Sequence, residues 1–274
     1  MNLFFYFLIS LAISIILPNL IKKNTLDNSL ESQDQNIKKI KNKTPIMGGF
    51  IFIIPIFVYL IFTKNFKLLF WLIPSTIFGF YDDFQKIINK ATSKGLAKSV
   101  KTIFLIVNYL LFGYIFNVDF SIKEFIYYIL IYTGVLVTDG IDGLLGTLTL
   151  SFVILAKPFD QLKKIIFVSL IPFLYNNLNP AKIFMGDTGS SFLAALIYYL
   201  LLSSKQNYLG IIFLIGSISS LLQILSKKFI KKKILNFSPF HHNLETLGWN
   251  ENQIVILYNL IYYLIFIYFN LNKI

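Results

Sequence analysis

This chain of 274 residues is 56% hydrophobic and 17% aromatic, and only 14% of its residues are charged. An ordinary soluble domain has about 25% charged residues, so the composition excludes that class and indicates a membrane protein. The net charge of +12 fits lysine-rich loops at one face of a membrane and does not call for nucleic acid as a partner.

Ten apolar segments alternate with polar loops along the chain. A spanning helix needs about 20 residues, with a range of about 17–25, and several of the central segments are shorter. We therefore predict an all-α, polytopic membrane protein with about ten transmembrane helices that form one domain over residues 1–274. The segments are 3–21, 46–63, 66–81, 102–118, 124–138, 143–156, 165–178, 191–204, 207–226 and 253–271.

The lysines are distributed unevenly between the loops. Odd-numbered loops contain 17 lysines and the rest of the chain contains eight, and lysine-rich loops stay in the cytoplasm. We therefore expect both termini on the outer side. Five polar blocks then share the cytoplasmic face, where they predict an active site. They are 44–49 (TPIMGG), 81–86 (YDDFQK), 138–146 (TDGIDGLLG), 184–190 (FMGDTGS) and 238–249 (SPFHHNLETLGW).

Acidic residues occur in three of these blocks. Asp82 and Asp83 lie three or four residues before Lys86, on one face of a helix, and alone this pattern also fits a solvated helix end. Asp139 and Asp142 each precede a glycine, which suits a tight turn or the close approach of a ligand.

Asp187 lies just before an apolar segment, where Thr188 or Ser190 can cap the helix and leave its N–H groups as an anion site. A capped helix entry explains this block alone, but five carboxylates on one side together favour bound Mg²⁺. Magnesium uses one or two carboxylates completed by water and substrate phosphates. Zinc would need more histidine or cysteine, and the chain has no cysteine.

Lysine and histidine complete the predicted site. The chain contains no arginine, so lysines act as point charges on phosphate, and Lys39, Lys86 and Lys98 suit a Mg²⁺-bound pyrophosphate. His241 and His242 are adjacent, and neighbours on a helix diverge by about 100°, which makes them a poor chelate. We interpret them as contacts to phosphate or sugar, or as one functional residue beside one structural residue.

In their order and spacing, YDD..K, TDG.DG and FMGDTGS resemble the phospho-N-acetylmuramoyl-pentapeptide transferase family, within the polyprenyl-phosphate N-acetylhexosamine-1-phosphate transferase superfamily. The block at 238–249 is similar to the PxHHHxExxGW motif of the muramoyl branch. The resemblance runs from about residue 38 to 249. It implies ten spans in the bacterial plasma (inner) membrane and a cytoplasmic active site.

The resemblance also implies the reaction and its partners. The family transfers phospho-N-acetylmuramoyl-pentapeptide from UDP to undecaprenyl phosphate with Mg²⁺ as cofactor, which gives lipid I and UMP in the first membrane step of peptidoglycan synthesis. The implied partners are UDP-N-acetylmuramoyl-pentapeptide, undecaprenyl phosphate and membrane lipid, and a homodimer is compatible with the family.

Residue roles follow from the resemblance by position. Asp187 resembles the magnesium ligand, and Asp82 resembles the aspartate proposed to deprotonate the lipid phosphate, with Asp83 beside it. Asp139 resembles a nucleotide-side or metal-site carboxylate, as does Asp142. The implied catalytic residues are Asp82, Asp83 and Asp187, and the implied metal ligands are Asp187 and Asp139. The implied substrate-binding residues are Lys39, Thr44, Lys86, Lys98, Asp139, Asp142, Asn177, His241 and His242.

The chain departs from the family pattern at several positions. Asn243 replaces the third histidine, Leu136 replaces an asparagine, and Lys43 replaces a glycine in a loop that has also exchanged a histidine for lysine. Three alternatives remain open: transfer of N-acetylglucosamine-1-phosphate to the same lipid, a non-catalytic carrier or channel, and an inactive descendant.

Overall fold

The computed structural model describes residues 2–22, 44–88 and 95–271, which form helices and no β-strand. The all-α prediction is confirmed. The α-helices are α1 (Leu3–Lys22), α2 (Phe50–Phe62), α3 (Phe66–Ile88), α4 (Lys98–Phe116), α5 (Ile122–Thr138), α6 (Leu144–Leu155), α7 (Gln161–Asn177), α8 (Gly186–Ser204), α9 (Ile211–Leu225), α10 (Phe240–Thr246) and α11 (Glu251–Leu271). A 3₁₀ turn (Asn207–Gly210) precedes α9, and a π-helical turn (Ser226–Ile230) follows it.

Each of the ten predicted apolar segments overlaps a helix. Four helical stretches in the described part of the chain are long and apolar enough to cross a membrane, while α2 and α6 are apolar but shorter. This pattern is that of a membrane protein. The number of ten spans and the outer placement of both termini stay predictions. The four long stretches are Leu3–Ile21, Lys98–Phe116, Asn207–Ile230 and Glu251–Leu271.

Helix α8 lies at the centre of the bundle. Its residues 188–198 are all buried, because α3, α5 and α2 pack around it. Its small residues Gly189, Ala194 and Ala195 let these neighbours approach closely. The Trp71 indole of α3 donates its Nε1–H to the Ala195 carbonyl of α8 at 3.1 Å, which fixes the two helices side by side.

Two glycines allow close approach to the first turn of α8. A Cβ atom on Gly79 of α3 would lie 2.0 Å from the Asp187 carbonyl oxygen, and one on Gly49 would lie 2.3 Å from the Gly189 Cα atom. Neither position has room for a side chain. The C-terminal half of α3 and the start of α2 therefore meet α8 where Asp187 stands.

Separate contacts tie the opposite end of the bundle together. The Lys157 backbone N–H donates to the Gln206 side-chain oxygen at 2.6 Å, and the Tyr127 hydroxyl donates to the Asn207 carbonyl at 3.1 Å. These contacts join the start of α5, the α6–α7 turn and the α8–α9 turn. The polar blocks lie at the other end.

Candidate active site

The first and fourth polar blocks run side by side. The Gly48 N–H donates to the Phe184 carbonyl at 2.8 Å, and the Gly49 N–H donates to the Met185 carbonyl at 3.0 Å. In return, the Phe184 N–H donates to the Pro45 carbonyl at 2.8 Å. This backbone pairing holds the loop before α8 against the loop before α2.

The Asp83 carboxylate caps the N-terminus of α8. Its Oδ1 accepts the Asp187 N–H at 2.9 Å, and its Oδ2 accepts the Thr188 N–H at 2.8 Å and the Thr188 hydroxyl at 2.7 Å. The first N–H groups of a helix have no partner within the helix. A carboxylate from α3 supplies these partners here and also fits the positive end of the helix dipole.

Lys86 joins three carboxylates. Its Nζ atom lies 2.7 Å from Asp187 Oδ2, 3.1 Å from Asp82 Oδ2 and 3.9 Å from Asp83 Oδ1. The predicted spacing of two aspartates and one lysine on the same face of a helix is therefore present, and α8 adds a third acid to it. The structure thus brings together the three residues that were predicted to be catalytic.

A second lysine, which the sequence reasoning missed, completes this cluster. Lys101 Nζ lies 2.9 Å from Asp82 Oδ2 and 3.7 Å from Asp187 Oδ2. The Leu96 N–H donates to Asp82 Oδ1 at 2.6 Å. Lys98, predicted instead, is exposed at the start of α4, and its ammonium group makes no hydrogen bond or ion pair with any residue that the structure describes. Lys101 lies one helical turn further along, and only the packing of α4 against α3 identifies it.

The cluster shifts the pKa values of its three acids in different directions. Burial raises the pKa of Asp187 to about 7, and a side-chain hydrogen bond with Asp82 adds to this effect while Lys86 opposes it. Burial alone would raise the pKa of Asp82 as well, but the Asp187 hydrogen bond and the two lysines hold it below its usual range. Burial raises the pKa of Asp83. Asp82 therefore stays ionised.

Lys86 stays charged for the same reason. Burial would lower the pKa of Lys86, but Asp187, Asp83 and Asp82 together raise it above its usual value. The Lys86 ammonium group therefore keeps its positive charge between the three carboxyl groups.

Asp139 lies at the end of α5 with a partly exposed side chain. Within the described residues its carboxylate accepts no hydrogen bond and forms no ion pair. Burial raises its pKa well above the usual value, and the charges of Asp187 and Asp83 raise it further, so these acids are near one another. An unpaired carboxylate beside the Lys86 cluster is the type of group that a cation would satisfy.

Asp142 and Asn177 fix the turn that carries Asp139. Asp142 Oδ2 accepts the Ala181 N–H at 3.1 Å, and the Asp142 N–H donates to Glu251 Oε2 at 3.0 Å. Asn177 accepts the N–H of Gly143 at 3.1 Å through Oδ1. Both residues join the α5–α6 turn to its neighbours. Their predicted contact with substrate stays a prediction.

The two histidines lie over the same turn. A Cβ atom on Gly140 would lie 2.7 Å from His242 Nε2 and 3.0 Å from His241 Nε2, and the two ring centroids are 4.6 Å apart. The expectation that the two histidines make a poor chelate stays a prediction. Neighbouring residues on a helix point about 100° apart at their Cα–Cβ bonds. The side-chain torsions of the two histidines nevertheless bring both Nε2 atoms close to Gly140.

The histidines differ in their surroundings. His241 is 0% exposed, and neither of its ring nitrogens has a hydrogen-bond partner among the described residues. Burial, together with His242, lowers its pKa to about 3, so its ring is neutral. His242 is partly exposed, and its Nδ1 pairs with the Glu245 carboxylate, which leaves Nε2 directed at the turn.

Two other predicted positions and the predicted metal site differ in outcome. The Thr44 hydroxyl donates to the Ala181 carbonyl at 3.4 Å, beside the Asp142 contact. Lys39 lies outside the described residues. Within those residues, no group of three or more His, Cys, Asp or Glu side chains is placed to hold a metal ion by itself. A magnesium ion here would need substrate phosphates or water to complete its ligands.

Two of the departures from the family pattern have structural roles, and the third, Lys43, lies outside the described residues. Asn243 Oδ1 accepts the Asn236 N–H at 2.9 Å, so it fixes the segment between α9 and α10. Leu136 packs against the hydrophobic core. Neither residue places an unpaired polar group in the cluster.

A comparison with known families matches residues 65–205 to the model described as "Glycosyl transferase family 4". The match covers more than half of the chain and includes Asp82, Lys86, Asp139 and Asp187. The chain belongs to glycosyl transferase family 4. It is therefore a transferase, which argues against the carrier alternative.

Curated relatives of this family agree with the match. The chain is 34% identical to a protein of Fervidobacterium nodosum over 94% of each chain. It is 32% identical to one of Bacillus subtilis, over 92% of this chain and 90% of the relative. It is 31% identical to one of Nautilia profundicola, over 80% and 78%. All three are named phospho-N-acetylmuramoyl-pentapeptide-transferase. The resemblance stated from the motifs is confirmed.

Proposed function

We propose that this family 4 transferase moves phospho-N-acetylmuramoyl-pentapeptide from UDP to undecaprenyl phosphate with Mg²⁺ as cofactor, and so forms lipid I and UMP. The observation that carries this proposal is the cluster of Lys86, Lys101, Asp82 and Asp187 at the first turn of α8. The names of the relatives support the muramoyl donor over N-acetylglucosamine.

The reaction exchanges one phosphorus–oxygen bond for another. The bond between the sugar-bound phosphorus and the bridging oxygen of UMP breaks, and that phosphorus becomes bonded to an oxygen of the lipid phosphate. The proton of the lipid phosphate is released, and UMP leaves with the bridging oxygen. Such a transfer needs charges that are positioned and neutralised more than it needs other chemistry from the protein.

The lysines would hold the phosphate oxygens. Without arginine, Lys86 and Lys101 are the positive charges that the described cluster offers, and both already face Asp82 and Asp187. A bound phosphate would share these ammonium groups with the carboxylates. Asp82, kept ionised by the lysines, would accept the hydrogen bond from a protonated lipid phosphate and so orient it for attack.

Asp187 and Asp139 fit the proposed magnesium ion. Both offer carboxylate oxygens, which Mg²⁺ prefers, and Asp139 has no other partner in the described chain. Burial raises the pKa of both acids, and Lys86 opposes that rise only in part; a divalent cation would favour their ionised forms further. The ion would polarise the pyrophosphate and stabilise the UMP that leaves.

The turn between α5 and α6 would face the nucleotide sugar. The neutral ring of His241 can donate or accept a hydrogen bond but adds no charge, whereas His242 is oriented by Glu245. Both Nε2 atoms are directed at Gly140, next to Asp139. His241 is fully buried and His242 is partly exposed, which supports the interpretation of one functional histidine, His242, beside one structural histidine.

The experiment that tests the proposal compares two donors. Purified protein in detergent receives Mg²⁺ and undecaprenyl phosphate, and UMP release is followed from UDP-N-acetylmuramoyl-pentapeptide and, separately, from UDP-N-acetylglucosamine. We expect release from the muramoyl donor alone, and its loss when EDTA removes Mg²⁺. Release from the other donor alone would assign the chain to the sister branch. No release from either donor by folded protein would support the inactive alternative.

A further inference from the structure

A basic segment follows α9. We use this name for residues 227–234, which contain lysines interleaved with large apolar side chains: Lys227, Lys228, Phe229, Ile230, Lys231, Lys232, Lys233 and Ile234. All eight residues are exposed. Phe229 is 73% exposed, and Ile230 and Ile234 are each 63% exposed. Aromatic and aliphatic side chains at such exposure need an apolar environment other than the protein core.

The charge of the basic segment is not compensated. No Asp or Glu occurs between residues 206 and 244, and none of the five lysines forms an ion pair with the residues that the structure describes. Lys228 Nζ lies 5.5 Å from the centre of the Phe229 ring, a neutral partner that leaves its charge uncompensated. Five positive charges therefore lack an anionic partner within the described chain.

The basic segment lies where the lipid-facing surface ends. The last two turns of α9 expose Leu222 (50%), Ile224 (63%) and Leu225 (39%), and the membrane-length stretch Asn207–Ile230 ends inside the segment. Apolar helix surface followed at once by lysines is the pattern of a membrane boundary, where long lysine stems stay in lipid and their charges reach the headgroups.

The end of the segment is fixed to α9. Gln223 Oε1 accepts the N–H groups of Ile234 and Leu235, each at 3.1 Å, and its Nε2 donates to the Leu235 carbonyl at 2.8 Å. Asn243 then fixes Asn236. The lysines are thus displayed on a turn of defined shape that leads directly into α10 and its histidines.

We propose that the basic segment binds the anionic headgroups of phospholipids in the surrounding membrane leaflet. The five lysines match the headgroup phosphates, and Phe229, Ile230 and Ile234 match the acyl boundary just below them. Juxtamembrane clusters of lysine attract anionic lipid because each charge adds to the attraction near the surface. Lipid bound here would also steady α10 over the Gly140 turn.

Native mass spectrometry of the full chain tests this proposal. Protein in detergent is titrated with phosphatidylglycerol and with phosphatidylcholine of the same acyl chains, without nucleotide sugar or undecaprenyl phosphate, so that the result is independent of the reaction proposed above. We expect phosphatidylglycerol to bind about tenfold more tightly than phosphatidylcholine. Replacing the five lysines together, K227Q, K228Q, K231Q, K232Q and K233Q, should abolish that preference.

A matched variant controls for total charge. Five exposed lysines at the opposite end of the bundle are replaced in the same way: K64Q, K67Q, K123Q, K157Q and K205Q. This variant should keep the wild-type preference. An equal loss in both variants, or no loss in the first, would overturn the proposal.

The wild-type chain supplies a second measurement that needs no variant. Raising the ionic strength from about 0.1 M to about 1 M shortens the screening length from about 10 Å to about 3 Å. The preference for phosphatidylglycerol should disappear over this range, and a preference that persists unchanged would contradict binding by exposed lysines.

Discussion

Asp83 and Thr188 are joined by two hydrogen bonds, one from the Thr188 N–H and one from its hydroxyl, both to Asp83 Oδ2. The same carboxylate accepts the Asp187 N–H through its other oxygen. Asp83 is therefore a positioning residue as well as a neighbour of Lys86. It sets where α8 begins, and with it where the Asp187 side chain stands.

Replacing Asp83 should affect stability and activity together. In Asp83→Asn one oxygen is exchanged for an NH₂ group, which would face an N–H of α8 and leave a buried donor unpaired, at a cost of about 1–3 kcal/mol. We expect a lower melting temperature and strongly reduced turnover. The control is Asp119→Asn, an exposed residue in the α4–α5 turn. Equal melting temperatures for the two variants would contradict the capping role.

Replacing Lys101 should reduce turnover more than replacing Lys98. Lys101 contacts Asp82 and Asp187, so Lys101→Gln removes a charge beside both acids, and we expect a loss of about 10- to 100-fold in turnover. Lys98→Gln removes an exposed lysine at the start of the same helix and should cost less. The measurement is kcat for both variants at saturating donor. A larger loss of kcat in Lys98→Gln than in Lys101→Gln would favour the sequence-based prediction that Lys98 binds substrate.

Gly140→Ala tests whether α10 belongs to the site. The new methyl group would lie 2.7 Å from His242 Nε2 and 3.0 Å from His241 Nε2, so the imidazole rings must shift away from the turn. A displacement of about 1 Å can cost about 10²-fold in rate. We expect reduced turnover with little change in melting temperature, because Gly140 is exposed. Wild-type activity in this variant would exclude a role for the histidines.

Asn243 can be tested with two substitutions of similar size. In Asn243→Leu the acceptor for the Asn236 N–H is lost, and we expect a lower melting temperature. In Asn243→His the ring Nδ1 stands at the same number of bonds from the backbone as the amide oxygen, so the acceptor is kept and stability should be retained. Thermal melting of both variants decides this. An equal loss in both would show that residue volume, and not the hydrogen bond, is what matters.

The helices and the acids of the site were predictable from the sequence because both are local patterns. An apolar run between polar loops specifies a helix whatever surrounds it, and each predicted segment overlaps one. The pair Asp82 and Asp83 with Lys86 follows from helix periodicity alone, and the structure shows the three side chains on one face.

The remainder of the site depends on contacts between distant parts of the chain. Lys101 reaches Asp82 only because α4 returns beside α3, and no local pattern separates it from Lys98. Glu251 meets the Asp142 N–H across 109 residues. The capping role of Asp83 was hidden for the same reason, since its partners lie on α8. The Gly140 contact of the histidines required side-chain torsions that helix periodicity does not determine.

The most direct test of the account compares Asp187→Asn with Asp119→Asn in the muramoyl-donor assay. Asp187 faces both lysines of the cluster, and removal of one such group costs about 10²–10³-fold in rate. We expect Asp187→Asn to abolish UMP release at an unchanged melting temperature, while Asp119→Asn keeps wild-type turnover. Equal activity in the two variants would contradict the placement of the active site at the first turn of α8.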